Sequence, residues 1–181
     1  RSGESGFLAI DPATRLSLEI DRTQRGERDG SLLHCIDRSV TSGGARALAE
    51  RVSRPLRDPA AINAGLDAVE WLLERRDLRR DLRDGLRSSA DVARATSRLA
   101  LGRGGPRDLA AIRSGLTTAQ ALAGLFAAST HDPLAGPPAR VLACLDRLTL
   151  DAELSHLLAD LGDGLMEEPP HLARDGGFVN P

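Results

Sequence analysis

Four histidines, His34, His131, His156 and His171, and two cysteines, Cys35 and Cys144, are the side chains best suited to metal binding or nucleophilic chemistry. No histidine stands three or four residues from another His or a Cys, and His34 merely adjoins Cys35. A zinc centre needs four converging ligands at recurring spacings, and this distribution supplies none. His156 and Asp160 fall one helical turn apart, but as a lone pair they read as an ordinary i,i+4 contact. Glu167-Glu168 and Asp160/Asp163 read as solvated acids, not as a catalytic pair. Serine, histidine and aspartate are all present, yet no Ser sits in the Gly-x-Ser-x-Gly frame of a nucleophile elbow. No catalytic, cofactor-binding or metal-ligating residue is assigned.

Phosphate chemistry fares no better. The chain has no lysine, so its 24 cationic residues are all arginines. A P-loop needs a Lys to reach the β- and γ-phosphates. Gly102-Arg103-Gly104-Gly105 looks like part of a phosphate loop, but no strand precedes it as the dinucleotide fingerprint requires. It reads as a helix–helix connector. The 26 acids outnumber the arginines, giving 24 − 26 = −2, where a free-standing nucleic-acid binder carries a basic surplus. Aromatics are 2% of the chain, too few for a base-stacking platform. The run from Arg75 to Arg83, RRDLRRDLR, puts Arg76, Arg80, Arg83 and Arg87 on one helical face with Asp77, Asp81 and Asp84 beside them. Pairs such as Asp77–Arg80 and Arg80–Asp84 fit a solvated, ion-paired surface.

The elements that carry these residues are helices. Ile62, Leu66, Val69 and Leu73 recur at i, i+4, i+7 and i+11, and Leu78, Leu82 and Leu86 every fourth residue. Val92, Ala95 and Leu99 form another row. Leu109, Ile112, Leu116, Ala119, Ala123 and Phe126 hold one face over about five turns, and Leu150, Leu154, Leu157, Leu158 and Leu161 close the pattern. Asp11-Pro12, Asp58-Pro59 and Asp132-Pro133 each place a capping Asp before a Pro at the first helical position. Ser31 and Asp151 are further caps, Gly104-Gly105-Pro106 precedes the long helix, and Gly162 and Gly164 are expected to end the last one. The fold class is all-α, an irregular multi-helix bundle or array. Phe7–Ile10 is the only strand candidate, and is expected to need a partner outside the chain.

With 41% hydrophobic residues in 181, a sizeable core is within reach. No stretch approaches the ~18–20 uninterrupted apolar residues of a membrane span, and no signal peptide opens the chain. Cys35 and Cys144 are expected to be buried thiols of a cytoplasmic protein. Beginning at Arg1 without an initiator Met and stopping in loop-like sequence at Pro181, the chain reads as a piece of something longer.

One family brings these features together. Phe7-Leu8-Ala9-Ile10-Asp11, Ala13-Thr14-Arg15, Leu18-Glu19, Ser31-Leu32, Asp37-Arg38, Val40-Thr41, Gly44, Arg46, Leu48 and Pro55-Leu56-Arg57-Asp58 resemble the opening of the core domain, domain III, of bacterial MutS mismatch-repair ATPases. The resemblance continues through Asp91-Val92, Ser97-Arg98-Leu99-Ala100, Gly102-Arg103 and Pro106-Arg107-Asp108-Leu109, and through Glu168-Pro169-Pro170 and Asp175-Gly176-Gly177. Arg51-Val52 departs from the Trp-Leu that many members carry. The residues matched most specifically are Thr41, Gly44, Arg46, Leu48, Pro55, Asp58, Arg98, Leu99, Pro106, Asp108, Leu109, Gly176 and Gly177, and all are expected to be architectural.

The resemblance implies a flexible start at 1–6, a single helical core and lever domain over 7–175, and a loop at 176–181 leading to a lever helix. It implies a parent that binds mismatched duplex DNA and hydrolyses ATP with Mg, is a cytoplasmic homodimer, and meets a MutL-like partner. The family's Phe-x-Glu wedge is absent from this chain, since Phe7, Phe126 and Phe178 are not followed by Glu two residues on. The implied role is mechanical: joining connector, DNA clamp and ATPase domains, with no catalysis of its own. The alternative is a helical protein-interaction scaffold unrelated to DNA repair.

Overall fold

The computed structural model describes residues 6–129 and 136–180, which leaves His131 and the expected cap at Asp132-Pro133 outside the described residues. The chain divides into two compact units, Arg1–Glu70 and Trp71–Pro181. The fold is all-α: no strand or sheet forms among the described residues, only two isolated antiparallel bridges.

The first unit begins with helix α1 (Pro12–Ser17), started by Asp11, whose carboxylate accepts the Thr14 N–H at 3.0 Å and the Thr14 hydroxyl at 2.6 Å. Helix α2 (Leu32–Ile36) is capped by Ser31, a fully buried residue that accepts from the His34 N–H and donates to the Arg28 carbonyl at 2.7 Å. The intervening turn folds back on itself, with the Leu32 and Leu33 amides bonded to the carbonyls of Glu19 and Ile20, both at 2.9 Å. Ile20 and Leu33 bury themselves there. Helix α3 (Ser42–Ser53) follows, and α4 (Pro59–Glu74) starts in this unit and ends in the next.

The N-terminal segment corrects an expectation. Phe7 pairs with Leu56 in an antiparallel bridge, the Leu8 N–H donates to the Pro55 carbonyl at 2.8 Å, and the Arg57 N–H donates to the Gly6 carbonyl at 3.1 Å. The partner therefore lies inside the chain. The extended residues between α3 and α4 supply it, and the pairing is too short to count as a strand.

The second unit is organised by α7 (Pro106–Ser129), 24 residues and so about 36 Å long at 1.5 Å per residue. Around it pack α5 (Arg76–Arg87), α6 (Val92–Ala100), α8 (Ala139–Leu148) and α9 (Ala152–Gly164). A helix with four neighbours cannot bury one stripe alone. Gly115 and Leu122, buried beside Phe126 at the edge of the expected row, widen it, and half-buried residues such as Ala110 and Thr118 lie on the other side of α7. Trp71 and Phe126 stack with centroids 6.5 Å apart, joined in the core by Leu82, Ala95, Val141 and Leu161. Gly162 lies inside α9, not at its end, and the helix stops only at Gly164.

Not every apolar row finds cover. On α4, Ile62, Leu66, Val69 and Leu73 are 38–58% exposed. Leu154 and Leu157 on α9 are also open.

Candidate functional site

Six of the thirteen residues singled out from sequence, Thr41, Gly44, Asp58, Pro106, Asp108 and Leu109, sit where helices start. Thr41 caps α3, its hydroxyl accepting the Gly44 N–H at 2.9 Å. A Cβ on Gly44 would lie 2.9 Å from that same hydroxyl oxygen, so the glycine keeps the cap accessible. Arg46, one turn on, lines a depression of about 320 Å³ with Asp21, Arg22, Arg28 and Leu33. Arg28 reaches Asp37 at 2.7 Å. Asp37 also accepts the Ser39 N–H, and that bond, more than Arg28, holds its carboxyl below the usual carboxylate range. Thr14 does the same for Asp11, chiefly through its hydroxyl. Asp58 caps α4 by accepting from the Ala60 and Ala61 amides, each at 3.2 Å.

Leu48 and Pro55 lie on a different feature, an apolar groove of about 570 Å³ that they line with Leu56, Ile62, Leu66 and Val69. It is the open side of the exposed α4 row.

In the second unit, Arg98, Leu99, Pro106 and Asp108 close the turn between α6 and α7. The Asp108 carboxylate accepts the Gly105 N–H at 2.9 Å, the reciprocal half of a capping box, and the Arg98 guanidinium at 3.2 Å. Arg98 also donates to the Arg103 carbonyl at 3.3 Å. Pro106, buried, opens the helix, and Leu109 is half-buried a turn inside it. Leu99 fills the space over Gly104, where a Cβ would come within 2.5 Å of its side chain. A Cβ on Gly105 would lie 3.0 Å from the His171 carbonyl oxygen. This glycine run is thus closed by a leucine and faced by a carbonyl acceptor.

Gly176 and Gly177 both have φ of +66°, a region that favours glycine. They reverse the chain after the 3₁₀ turn Ala173–Asp175, so that Met166 N–H bonds the Phe178 carbonyl and Asn180 N–H the Gly164 carbonyl, both at 3.0 Å. Two residues to which the sequence assigns no role belong here. Arg113, on α7, donates to four carbonyls at the end of α9, and Arg107 donates to the Pro169 carbonyl at 3.2 Å and meets the His171 ring. Neither has a local signal, because the acceptors lie 48 to 64 residues away in sequence.

The chemically suggestive residues stay apart. His156 meets Asp160 at 3.0 Å with both side chains exposed, and among the described residues no group of three or more His, Cys, Asp or Glu could hold a metal. On α5, Arg80 pairs with Asp77 at 2.9 Å and Asp81 at 3.1 Å, while Asp84 pairs with Arg87. The hydrogen bond that Arg80 Nε donates to the Asp81 carboxylate is the main cause that raises the Arg80 pKa. The expected burial of Cys35 and Cys144 is wrong: both are exposed. In the short α2 only Leu33 turns inward, two residues and about 200° away from Cys35. In α8 the inward row is Val141, Leu145 and Leu148, with Cys144 beyond its edge.

What the arrangement provides is caps, clasps and an uncovered groove: the parts of a structural element. The model of the family "MutS domain III" matches residues 13–181. The chain belongs to the MutS domain III family. The same alignment runs through individual relatives, all named "DNA mismatch repair protein MutS". One from Caulobacter sp. (strain K31) is 57% identical over 181 residues, 99% of this chain and 20% of its own length. One from Caulobacter vibrioides is 56% identical over 181 residues, again 99% and 20%, and one from Rhizobium meliloti is 48% identical over 179 residues, 99% and 19%. This domain III therefore spans about a fifth of the curated relatives it matches. Membership decides against a scaffold unrelated to DNA repair. No helix among the described residues is long and apolar enough to cross a membrane.

Proposed function

We propose that the chain is the domain III part of a longer mismatch-repair protein and works there as a helical linkage. Other parts of that protein bind mismatched duplex DNA, bind ATP and Mg²⁺, and hydrolyse the nucleotide. The chain itself supplies no catalytic group. The observation that carries this reading is the family match over residues 13–181 at about a fifth of the relatives' length. The open apolar row on α4 supports it, because an exposed patch of this kind marks a surface made to be covered. In this reading the parent is a cytoplasmic homodimer that meets a MutL-like partner.

The test compares the full-length protein with the 181-residue chain in ATP hydrolysis and in DNA binding near physiological salt. The full-length protein is expected to hydrolyse ATP and to prefer a mismatched over a paired duplex. The chain alone is expected to do neither, since it has no lysine for a phosphate loop and a net charge of −2. Turnover by the chain that vanishes on one substitution within it, or a tenfold mismatch preference of its own, would overturn the proposal.

A further inference from the structure

Helix α9 ends without a cap of its own. Its C-cap residue Leu165 is extended, at φ −108° and ψ 136°, where many helices place a glycine in the left-handed region. The last carbonyls of a helix have no partner within it and carry the negative end of its dipole. Here an arginine of another helix serves two of these end carbonyls, those of Leu161 and the C-cap Leu165, and reaches two more just beyond the helix. Arg113 Nη1 donates to the Leu165 carbonyl at 2.9 Å and the Leu161 carbonyl at 3.4 Å, and Nη2 to the Glu167 carbonyl at 3.0 Å and the Met166 carbonyl at 3.2 Å. The same short stretch pairs with the returning segment, through Met166 to Phe178, and Asn180 Nδ2 donates to the Asp163 carbonyl at 2.8 Å.

We propose that Arg113 is a positioning residue, which caps α9 from α7 and so fixes the direction of the paired segments 164–166 and 178–180 against the central helix. Resting on the linkage function above, this makes Arg113 a joint through which displacement of those segments reaches α7. The planar guanidinium is what the geometry demands. Its two Nη atoms serve two carbonyls each, and a lysine ammonium, three N–H donors on one nitrogen, cannot span all four.

The test uses Arg113→Gln and Arg113→Lys in the full-length protein. Amide exchange at Met166 and Asn180 is expected to rise at least tenfold in both variants, with the amides of α5 and α6 changed less than threefold. Stimulation of ATP hydrolysis by a mismatched duplex is expected to fall at least fivefold, with basal hydrolysis and the KM for ATP within twofold of wild type. Restoration of either property by lysine would show that charge alone suffices and overturn the joint. So would unchanged stimulation, or an exchange increase spread over the whole unit. Should the wild-type protein show no mismatch stimulation, the linkage function fails, while the exchange at Met166 and Asn180 still decides whether Arg113 positions the segment.

Discussion

Asp108 does two things with one carboxylate, closing the first turn of α7 through Gly105 and anchoring Arg98 from the end of α6. Its side chain is 17% exposed, so removing it strands a sheltered amide. Asp108→Ala is expected to cost about 1–3 kcal/mol, read as a lower denaturant midpoint at unchanged slope. Asp108→Asn, which keeps an acceptor for Gly105 but loses the charge, is expected to cost less. Gly176, at φ +66° and ψ −176°, occupies a region essentially reserved for glycine. Gly176→Ala is expected to cost about 1–3 kcal/mol and to raise amide exchange at Met166 and Asn180 before any other change. The caps at Asp11, Ser31, Asp58 and Asp151 were legible in the sequence because a capping oxygen and the amide that donates to it lie within three residues. Arg113 was not. An arginine among helix-forming residues has no mark that distinguishes a solvated side chain from one reaching four carbonyls about 50 residues on.

Among the elements, α7 shows both the reach and the limit of periodicity. Its step of three and four residues from Leu109 to Phe126 identifies the helix and one sheltered face. It is silent about the rest of the circumference, where half-buried Ala110, Ala111 and Thr118 sit on a helix packed against α5, α6, α8 and α9. Gly115 marks the closest approach: a Cβ there would run into the Val92 side chain on α6. In an open helix, Gly→Ala would gain about 0.5–1 kcal/mol. Here the sign should reverse, because Val92 is β-branched and stiff. Gly115→Ala is expected to destabilise by about 1–3 kcal/mol, with Val92→Ala in the same chain recovering part of the loss in a double-mutant cycle. The bridge at Phe7 escaped the sequence because its partner is only the few extended residues between α3 and α4, too few to show an alternating pattern. The thiols escaped because helical spacing near leucines does not say which side of a short helix faces in.

At the scale of the whole molecule, the open groove beside α4 is where the central claim is tested. Ile62, Leu66 and Val69 have the spacing of a core-facing row yet stand 38%, 58% and 54% exposed. Full burial of such a side chain is worth about 1.5–3 kcal/mol, and with each already half covered about half of that remains, which a linkage inside a larger protein would gain and an independent domain forgoes. The direct measurement is the rate at which a small thiol reagent labels Leu66→Cys, with Cys35 and Cys144 replaced by serine, in the 181-residue chain and in the full-length protein. Circular dichroism of the chain would confirm its helices. The account predicts fast labelling in the chain and labelling at least tenfold slower in the full-length protein, where the groove is filled. Equal rates in the two would mean that α4 faces solvent in both, and would contradict the claim that this chain is built to be completed by the rest of a mismatch-repair protein.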